Sequence, residues 1–482
     1  MLFASAVALT GCQKRPFQPN LPQVYFPPPA ARQGKPPVIF IPGILGSYLV
    51  NRRTGETVWP DLRVDSDAIA LPISSPVLAQ NTDDVVATEV VEDAKVSALI
   101  PEIAIYRPML EALERYGGYQ RGRFDAPPPG GDCDTIYLFA YDWRRDVVES
   151  ARALGCMIEE LKLKLGRPDL RFDIVAHSMG GLVARYYAMY GERDVLDAPV
   201  ACPDWSGARN MNRIIMIATP NAGSINALRV LLRGFSALSF AAPFGYLPRN
   251  YGRRLPFARV GSRVTFTIPA IYQLLPPGGQ ARFFSDSLSP LPVDLYDVET
   301  WRRYRWSAAF DDTFRRREFE RLGARLGPDP ARVESLRRAA ERERFLQAVL
   351  HRSEAFHAAL AVNCPPPPTL RFMFIGGDCI PTLDGVVIVN GLFPRAVFGL
   401  AEFRGDKRMR LKAADLLFNP GDGTITRQSL FGRPPDSRPA VAIPMSMRSP
   451  RVGTAIFCDT HNGLTHDRTV QDNLLTELIL NR

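Results

Sequence analysis

Ser178 ends an apolar run, Phe172-Asp173-Ile174-Val175-Ala176-His177, and is followed by Met179-Gly180-Gly181-Leu182-Val183-Ala184-Arg185. A strand that runs into a small-X-Ser-X-Gly turn, with an apolar-faced helix behind it, lifts a serine hydroxyl clear of a sheet. Crowding at such a turn demands small residues two before and two after the serine. Gly180 meets that demand, and Ala176 departs from the usual glycine by one methyl. The chemistry this predicts is nucleophilic. A serine oxygen attacks an acyl carbon once a base takes its proton, and a carboxylate orients the base.

The chain has five histidines, so the search for the base is short. His177 adjoins the serine and is expected to point away from its oxygen, as a structural or rim residue. His351 and His357 fall in helical stretches of a long insertion. His461 and His466 both follow the last apolar strand, where a base loop belongs. His461, nearer the strand end at Cys458, is preferred, with His466 the alternative. For the acid, Asp422 in Gly421-Asp422-Gly423-Thr424 is preferred, because it completes the chain order serine, acid, histidine and its glycines let backbone amides close on the carboxylate. Asp378 also follows a strand and is the alternative. Two backbone N–H groups must face the developing oxyanion. Met179 supplies one through its helix N-terminus, and Leu45, in the Gly43-Ile44-Leu45-Gly46 loop, is the expected second. No nucleotide loop or metal cluster is evident, and the chemistry as read needs no cofactor.

These residues must be held by elements, and the elements are legible as an alternation. Strands are predicted at Pro37–Ile41, Thr135–Ala140, Phe172–Ala176 and Arg213–Ala218. Helices are predicted over Ile105–Tyr116, Val147–Leu165 and Met179–Met189, each with apolar residues at helical spacing. Such a βαβ rhythm predicts an α/β fold with a mostly parallel sheet and helices on both faces. The rhythm breaks after 224. Residues 225–365 are rich in aromatics, prolines and arginines and are too long for an ordinary loop, so they read as a cap or lid. Within them, Leu228, Val230, Leu231, Leu232, Phe235, Leu238, Phe240 and Phe244 form an apolar stretch that either meets lipid or packs the cap. The mixed acids and bases of Arg315–Arg352 read as solvated helix rather than a binding patch. Sheet pattern resumes at Leu370–Ile375. Short strands are expected at Val386–Val389 and Arg408–Leu411, the last strand at Thr454–Cys458 and the last helix at Val470–Leu480. The resulting division is 1–12, 13–36 (a Pro-rich tether), 37–224 (core), 225–365 (cap) and 366–482 (core).

The 482 residues are 46% apolar and 23% charged, which supports a substantial core. Net charge is +9, but the arginines are scattered, with neither zinc-finger spacing nor a basic tail, so nucleic acid is not an expected partner. A cationic face suits either an anionic phospholipid surface or a proteome rich in arginine. Leu2–Leu9 is apolar or small, and Leu9-Thr10-Gly11-Cys12 resembles a bacterial lipobox in which Cys12 is lipidated. The segment is too short to span a bilayer and lacks a basic leading region, which points to a start codon upstream. Gln13, in place of aspartate, implies the outer membrane by the same resemblance. Of the seven cysteines, the six after Cys12 permit disulfides in an exported protein. Cys364 and Cys379 are close enough in sequence for a local link.

The motifs together resemble the lecithin:cholesterol acyltransferase family of α/β-hydrolases, in its bacterial lipase-like branch. The resemblance lies in Val38–Ser47, in Trp59 with Asp61-Leu62, in Tyr141-Asp142-Trp143-Arg144, in Ala176–Gly181, in Thr219-Pro220-Asn221 with Gly223-Ser224, in Tyr272–Pro276, in Gly421–Thr424 and in Asp459-Thr460-His461. It covers nearly the whole chain after residue 37. It implies an α/β-hydrolase fold with a cap, and a serine esterase acting on fatty-acyl esters through Ser178, His461 and Asp422. It implies a phospholipid or acylglycerol substrate met at a membrane surface. Trp59 and Trp143 become substrate-binding candidates, Trp143 being read otherwise as a brace for its strand end. Two outcomes stay open for the acyl-enzyme: water makes the protein a phospholipase A or lipase, and an acceptor alcohol or sterol makes it an acyltransferase. A small-ester hydrolase and an inactive lipid-binding lipoprotein are the remaining readings.

Overall fold

The computed structural model describes residues 18–25, 33–60, 66–94, 103–198, 202–236, 259–391, 394–432, 447 and 452–480. Cys12, Asp61, Leu62, Leu238, Phe240 and Phe244 lie outside them. Seven strands form one sheet: β1 (Val38–Ile41), β2 (Gln120–Gly122), β3 (Thr135–Leu138), β4 (Phe172–His177), β5 (Met211–Ile217), β6 (Arg371–Gly377) and β7 (Val452–Phe457), in the spatial order β7-β6-β5-β4-β1-β3-β2. Every pairing is parallel. Consecutive parallel strands need a crossover, and helices supply it: α1 (Arg107–Arg115), α2 (Val147–Leu165), α3 (Met179–Tyr190), α4 (Ile225–Arg233), α5 (Asp312–Leu326), α6 (Pro328–Ala361) and α7 (Arg468–Ile479) are the ones that matter below.

Strand side chains alternate between two layers, as period two requires. Ile39, Ile41, Ile174, Ile214 and Met216 pack with Leu154, Ile158 and Leu161 of α2 and with α3. Val38, Phe40, Val175, Ile215 and Ile217 pack on the other face with Met109, Leu110 and Leu113 of α1 and with Val470, Leu474 and Leu478 of α7. Complete burial of one such side chain contributes about 1.5–3 kcal/mol, so the central strands, apolar on both faces, anchor the molecule. Helix α2 has sharp ends. The Asp146 carboxylate accepts the Val148 N–H at 2.7 Å, and Gly166 closes the far end at φ 62°.

Several expectations change. Arg408–Leu411 is not a strand but part of a helix, Lys407–Leu417, capped by Asp406, with Ala413 and Leu417 buried four residues apart. The local Cys364–Cys379 link does not form. Cys202 pairs with Cys364, and Cys379 with Cys458 across the ends of β6 and β7. Within the expected tether, Leu21–Tyr25 is a short helix with both end residues buried. The Tyr25 hydroxyl sits 2.8 Å from the Asp472 carboxylate and 2.9 Å from Thr476 on α7. Val85–Val90, in a stretch without a clear pattern, pairs with Ser47–Asn51. The second edge strand, β2, has two exposed residues in three and too little apolar pattern to predict.

Between α4 and β6 lie extra helices and a small sheet outside the main one. Helices α5 and α6 run as an antiparallel pair about the turn at Gly327. Helix α6 is fixed to the core by Arg352, which ion-pairs with Asp146, the α2 cap, and with Asp194.

Candidate active site

The strands β1, β4 and β5 end together. Ile41 is level with Ala176, and Ile217 with His177. The loops that leave them therefore converge at the carboxyl edge of the sheet, where open parallel sheets place their sites. Ser178 occupies the turn between β4 and α3 at φ 53°, ψ −125°, a region that L-residues seldom adopt. Its N–H is held by the Ile217 carbonyl at 2.8 Å. Space explains the small residue two positions on. A Cβ on Gly180 would lie 2.5 Å from the carbonyl oxygens of Ile41 and Pro42. The β1 loop comes equally close: a Cβ on Gly43 would lie 2.9 Å from the Ser178 Cβ.

The structure brings Ser178, His461 and Asp422 together. His461 Nε2 is 3.0 Å from Ser178 Oγ, and His461 Nδ1 is 2.8 Å from Asp422 Oδ2. Asp422 is buried, and its other oxygen accepts the N–H groups of Thr424 at 2.9 Å and Ile425 at 2.7 Å. Its carbonyl accepts the His461 N–H at 2.9 Å. A carboxylate so fully satisfied holds Nδ1–H, which leaves the Nε2 lone pair directed at the serine. Asp378 is elsewhere, ion-paired with Arg427, and His466 Nε2 meets the Ile105 carbonyl at 3.0 Å. The Thr219–Ser224 turn braces the acid, because the Ser224 hydroxyl donates to the Thr424 carbonyl at 2.7 Å and the Asn226 amide donates to the same oxygen at 3.0 Å.

Met179 opens α3, so its N–H is among the helix amides with no intrahelical acceptor. Leu45, in the loop after β1, has φ 67°, with its carbonyl held by the Trp59 indole N–H at 2.9 Å. Both Leu45 and Ser178 line a cleft of about 210 Å³ whose walls are mostly apolar: Ile44, Ala227, Val230, Phe235, Ile271, Leu274 and Ile425. Trp59 and Trp143, expected to bind substrate, are not in this wall. They pack edge to face 5.6 Å apart, one layer behind it, and the Trp143 indole N–H donates to the Ser47 carbonyl. Arg144 beside them is fully buried and paired with Asp83 and Asp142 at 2.7 Å each, so the Tyr141–Arg144 string braces the loop after β1 from behind. From the apolar stretch of 228–235, Val230 and Phe235 face the cleft, whereas Leu228 and Leu231 are core.

Tyr106 was invisible as a site residue in the sequence. The Gly43 N–H donates to its hydroxyl at 2.9 Å, and that hydroxyl lies 2.9 Å from His177 Nδ1. Having accepted from Gly43, it donates to His177. His177 Nε2 is 3.2 Å from the His461 carbonyl, to which it donates. Burial, followed by the nearby His461, pushes the His177 pKa well below the usual imidazole value, so the ring stays neutral. Burial likewise raises the Tyr106 phenol far above its ordinary range. A neutral relay of Gly43, Tyr106, His177 and His461 thus joins the β1 loop to the histidine loop beneath the serine. Spacing alone gives no hint of it, since Tyr106 enters from the start of α1.

The lecithin:cholesterol acyltransferase family model matches residues 86–279, a stretch that includes the elbow and ends before Asp422 and His461. No curated protein matches the chain by sequence. Among solved structures, the chain resembles that of the Tle4–Tli4 complex at 13% identity, over 92% of this chain and 98% of that one, with a TM-score of 0.50. Lipase BlEst2 of Bacillus licheniformis in its mature form aligns at 12% identity over 92% of both chains, with a TM-score of 0.32. Phospholipase PlaB of Legionella pneumophila aligns at 18% identity over 49% of this chain and 35% of that one, with a TM-score of 0.21.

Proposed function

Over residues 86–279 this chain belongs to the lecithin:cholesterol acyltransferase family, a lipase- and esterase-like group of α/β-hydrolases, and from that premise we propose that it is a serine esterase cleaving fatty-acyl esters of lipids, foremost a phospholipase A or lipase. The observation that carries this reading is the hydrogen-bonded line from Ser178 through His461 to Asp422, 3.0 and 2.8 Å, at the floor of an apolar cleft.

In this mechanism His461 Nε2 takes the Ser178 proton as Oγ attacks the ester carbonyl. Asp422 holds the imidazolium that results. The oxyanion is met by the Leu45 and Met179 amides, and each such donor contributes about 3 kcal/mol of barrier lowering. Collapse breaks the ester C–O bond, and His461 passes its proton to the departing lysolipid or alcohol oxygen. Water, deprotonated by His461, then attacks the acyl-enzyme, releasing fatty acid and restoring Ser178. The apolar walls suit an acyl chain. Residues 37–224 and 366–482 are the hydrolase core in this reading, and 225–365 are its cap. Anchorage at the bacterial cell envelope through a lipid on Cys12 completes it. No helix among the described residues is long and apolar enough to cross a membrane.

The test is product analysis by mass spectrometry on mixed-chain phosphatidylcholine and phosphatidylglycerol vesicles, with and without a long-chain alcohol. Fatty acid and lysolipid are expected from the wild type, and Ser178→Ala is expected to lose turnover by on the order of 10⁴-fold or more. A new ester of the added alcohol makes the protein an acyltransferase. Absence of turnover on every lipid, with hydrolysis of short-chain esters alone, overturns the lipid assignment.

A further inference from the structure

A second and larger cavity, of about 1040 Å³, lies between the cap helices and residues 67 and 394–396. Helix α4 separates it from the serine cleft: Ala227 and Val230 face the cleft, and Leu232 and Arg233 face the cavity. Eight arginines and three carboxylates line it. Four of the eight are ion-paired nearby, and a fifth, Arg395, donates to the Glu402 carbonyl at 3.2 Å. Arg233 is bidentate with Glu402, Arg263 pairs with Asp67, Arg305 with Asp312 and Arg338 with Glu334.

Three remain. Arg317, Arg321 and Arg325 recur every fourth residue along α5, so they share one face, and that face lines the cavity. None of the ion pairs among the described residues involves them, and all three are exposed. The contrast with α6 is instructive. Arg337 and Arg338 each have Glu334 within a turn, as a solvated helix requires. Like charges at i,i+4 cost a helix a few tenths of a kcal/mol per pair, so the α5 row is unfavourable until something anionic offsets it. Guanidinium forks match phosphate oxygens in geometry as well as charge.

The surroundings indicate where that anion resides. Leu326 on α5 and Val333 and Leu336 on α6 are 40%, 70% and 60% exposed, at the end of the pair near the Gly327 turn. These apolar side chains lie outside the cavity, at the end of α5 that Arg325 also occupies. Exposed apolar groups at one tip of a helix pair with cations along an adjoining face match a bilayer interface, where apolar groups enter the acyl boundary and cations sit at phosphate level. We propose that the α5 face of this cavity is a phosphate-anion site that takes the headgroup phosphate of an anionic phospholipid. The proposal deepens the lipid-ester reading, but its measurement is of binding and stands apart from turnover.

Cosedimentation of the Ser178→Ala protein with phosphatidylcholine vesicles, with and without phosphatidylglycerol, tests it. Anionic vesicles are expected to bind more tightly, and Arg317→Glu/Arg321→Glu/Arg325→Glu is expected to lose roughly a hundredfold in that affinity, at about 1 kcal/mol per arginine near an anionic surface. Replacing the same three by glutamine, a good helix former, is expected to weaken binding to a lesser degree and guards against misfolding. Equal charge reversal on the helix Lys407–Leu417, at the exposed Lys407, Arg408 and Arg410, is expected to change little. Isothermal titration with soluble glycerol phosphate separates the two sources of the anion. Binding of glycerol phosphate without preference for anionic vesicles assigns the site to free phosphate and overturns the proposal. Unchanged vesicle binding in both arginine variants, or equal loss in the Lys407–Leu417 control, overturns it as well. Short-chain ester hydrolysis in the Ser178-containing arginine variants is expected to stay at the wild-type rate, so failure here leaves the esterase reading untouched.

Discussion

Tyr106 joins two loops that no strand connects. Its hydroxyl carries the Gly43 amide on one side and His177 on the other, and His177 holds the carbonyl of His461. Removing one oxygen leaves a buried amide and a buried ring nitrogen without partners, at about 1–3 kcal/mol. Tyr106→Phe is therefore expected to lower kcat about tenfold, equivalent to ~1.4 kcal/mol of barrier, while KM stays close to wild type, because the hydroxyl positions both loops without lining the acyl wall. Steady-state kinetics on a soluble ester, with Tm measured alongside, checks this. A rise in KM with kcat unchanged places Tyr106 in binding instead. The convergence of Ser178, Asp422 and His461 is legible because each falls where a strand ends and the number of histidines is small. Tyr106 is not, because a tyrosine at a helix start resembles any other buried ring until three distant segments are set beside it. The two tryptophans lie behind the cleft wall, where Trp143 takes the bracing alternative. Trp59 and Trp143 sit in distinctive strings, yet those strings brace a loop.

Elements are predictable where burial imposes a period. The strands β1, β4, β5 and β6 are nearly or wholly buried, and their apolar runs give them away. The helix Lys407–Leu417 carries no legible helical period, because only Ala413 and Leu417 are buried among its bases. Disulfide pairing was illegible, since Cys202 and Cys364 are 162 residues apart and meet only after the cap has folded back. That link closes a loop around α4, α5 and α6. Closing so long a loop stabilises a native chain by about 2–4 kcal/mol, chiefly through the unfolded state. Cys202→Ser/Cys364→Ser is expected to lower Tm, and the wild type under reducing conditions is expected to fall at least as far, because reductant opens Cys379–Cys458 as well. Calorimetry with and without reductant measures both, and equal Tm values in all arms dismiss the link as a stabiliser.

For the molecule as a whole, acid is the vulnerable direction. Burial, above all, holds His357 down at about 4, and the Arg185 charge adds to the effect. Burial shifts His177 the same way. Unfolded, each ring takes a proton near pH 6.5. The unfolded chain therefore binds more protons than the native one between that value and the depressed native values, and stability falls as pH drops through the window. For His357 the loss accrues from about pH 6.5 to about pH 4, and at full extent approaches ~3 kcal/mol. His357→Gln, which cannot charge, is expected to flatten the slope of Tm against pH over that interval. A slope equal to wild type assigns acid lability to other groups. Parallel layers, the carboxyl-edge cleft and the cap were all foreshadowed by a rhythm that holds to residue 224 and then breaks. The N-terminal contact was not. The Pro-rich lead reads as free chain, but Leu21 and Tyr25 are buried, and the Tyr25 hydroxyl is fastened to α7. That fastening shortens the leash. Measured from the clamp and not from β1, a lipid on Cys12 would have only the chain up to Leu21 as slack, at most about 30 Å when fully drawn out. Under the proposed lipidation the molecule would be held within that reach of the bilayer.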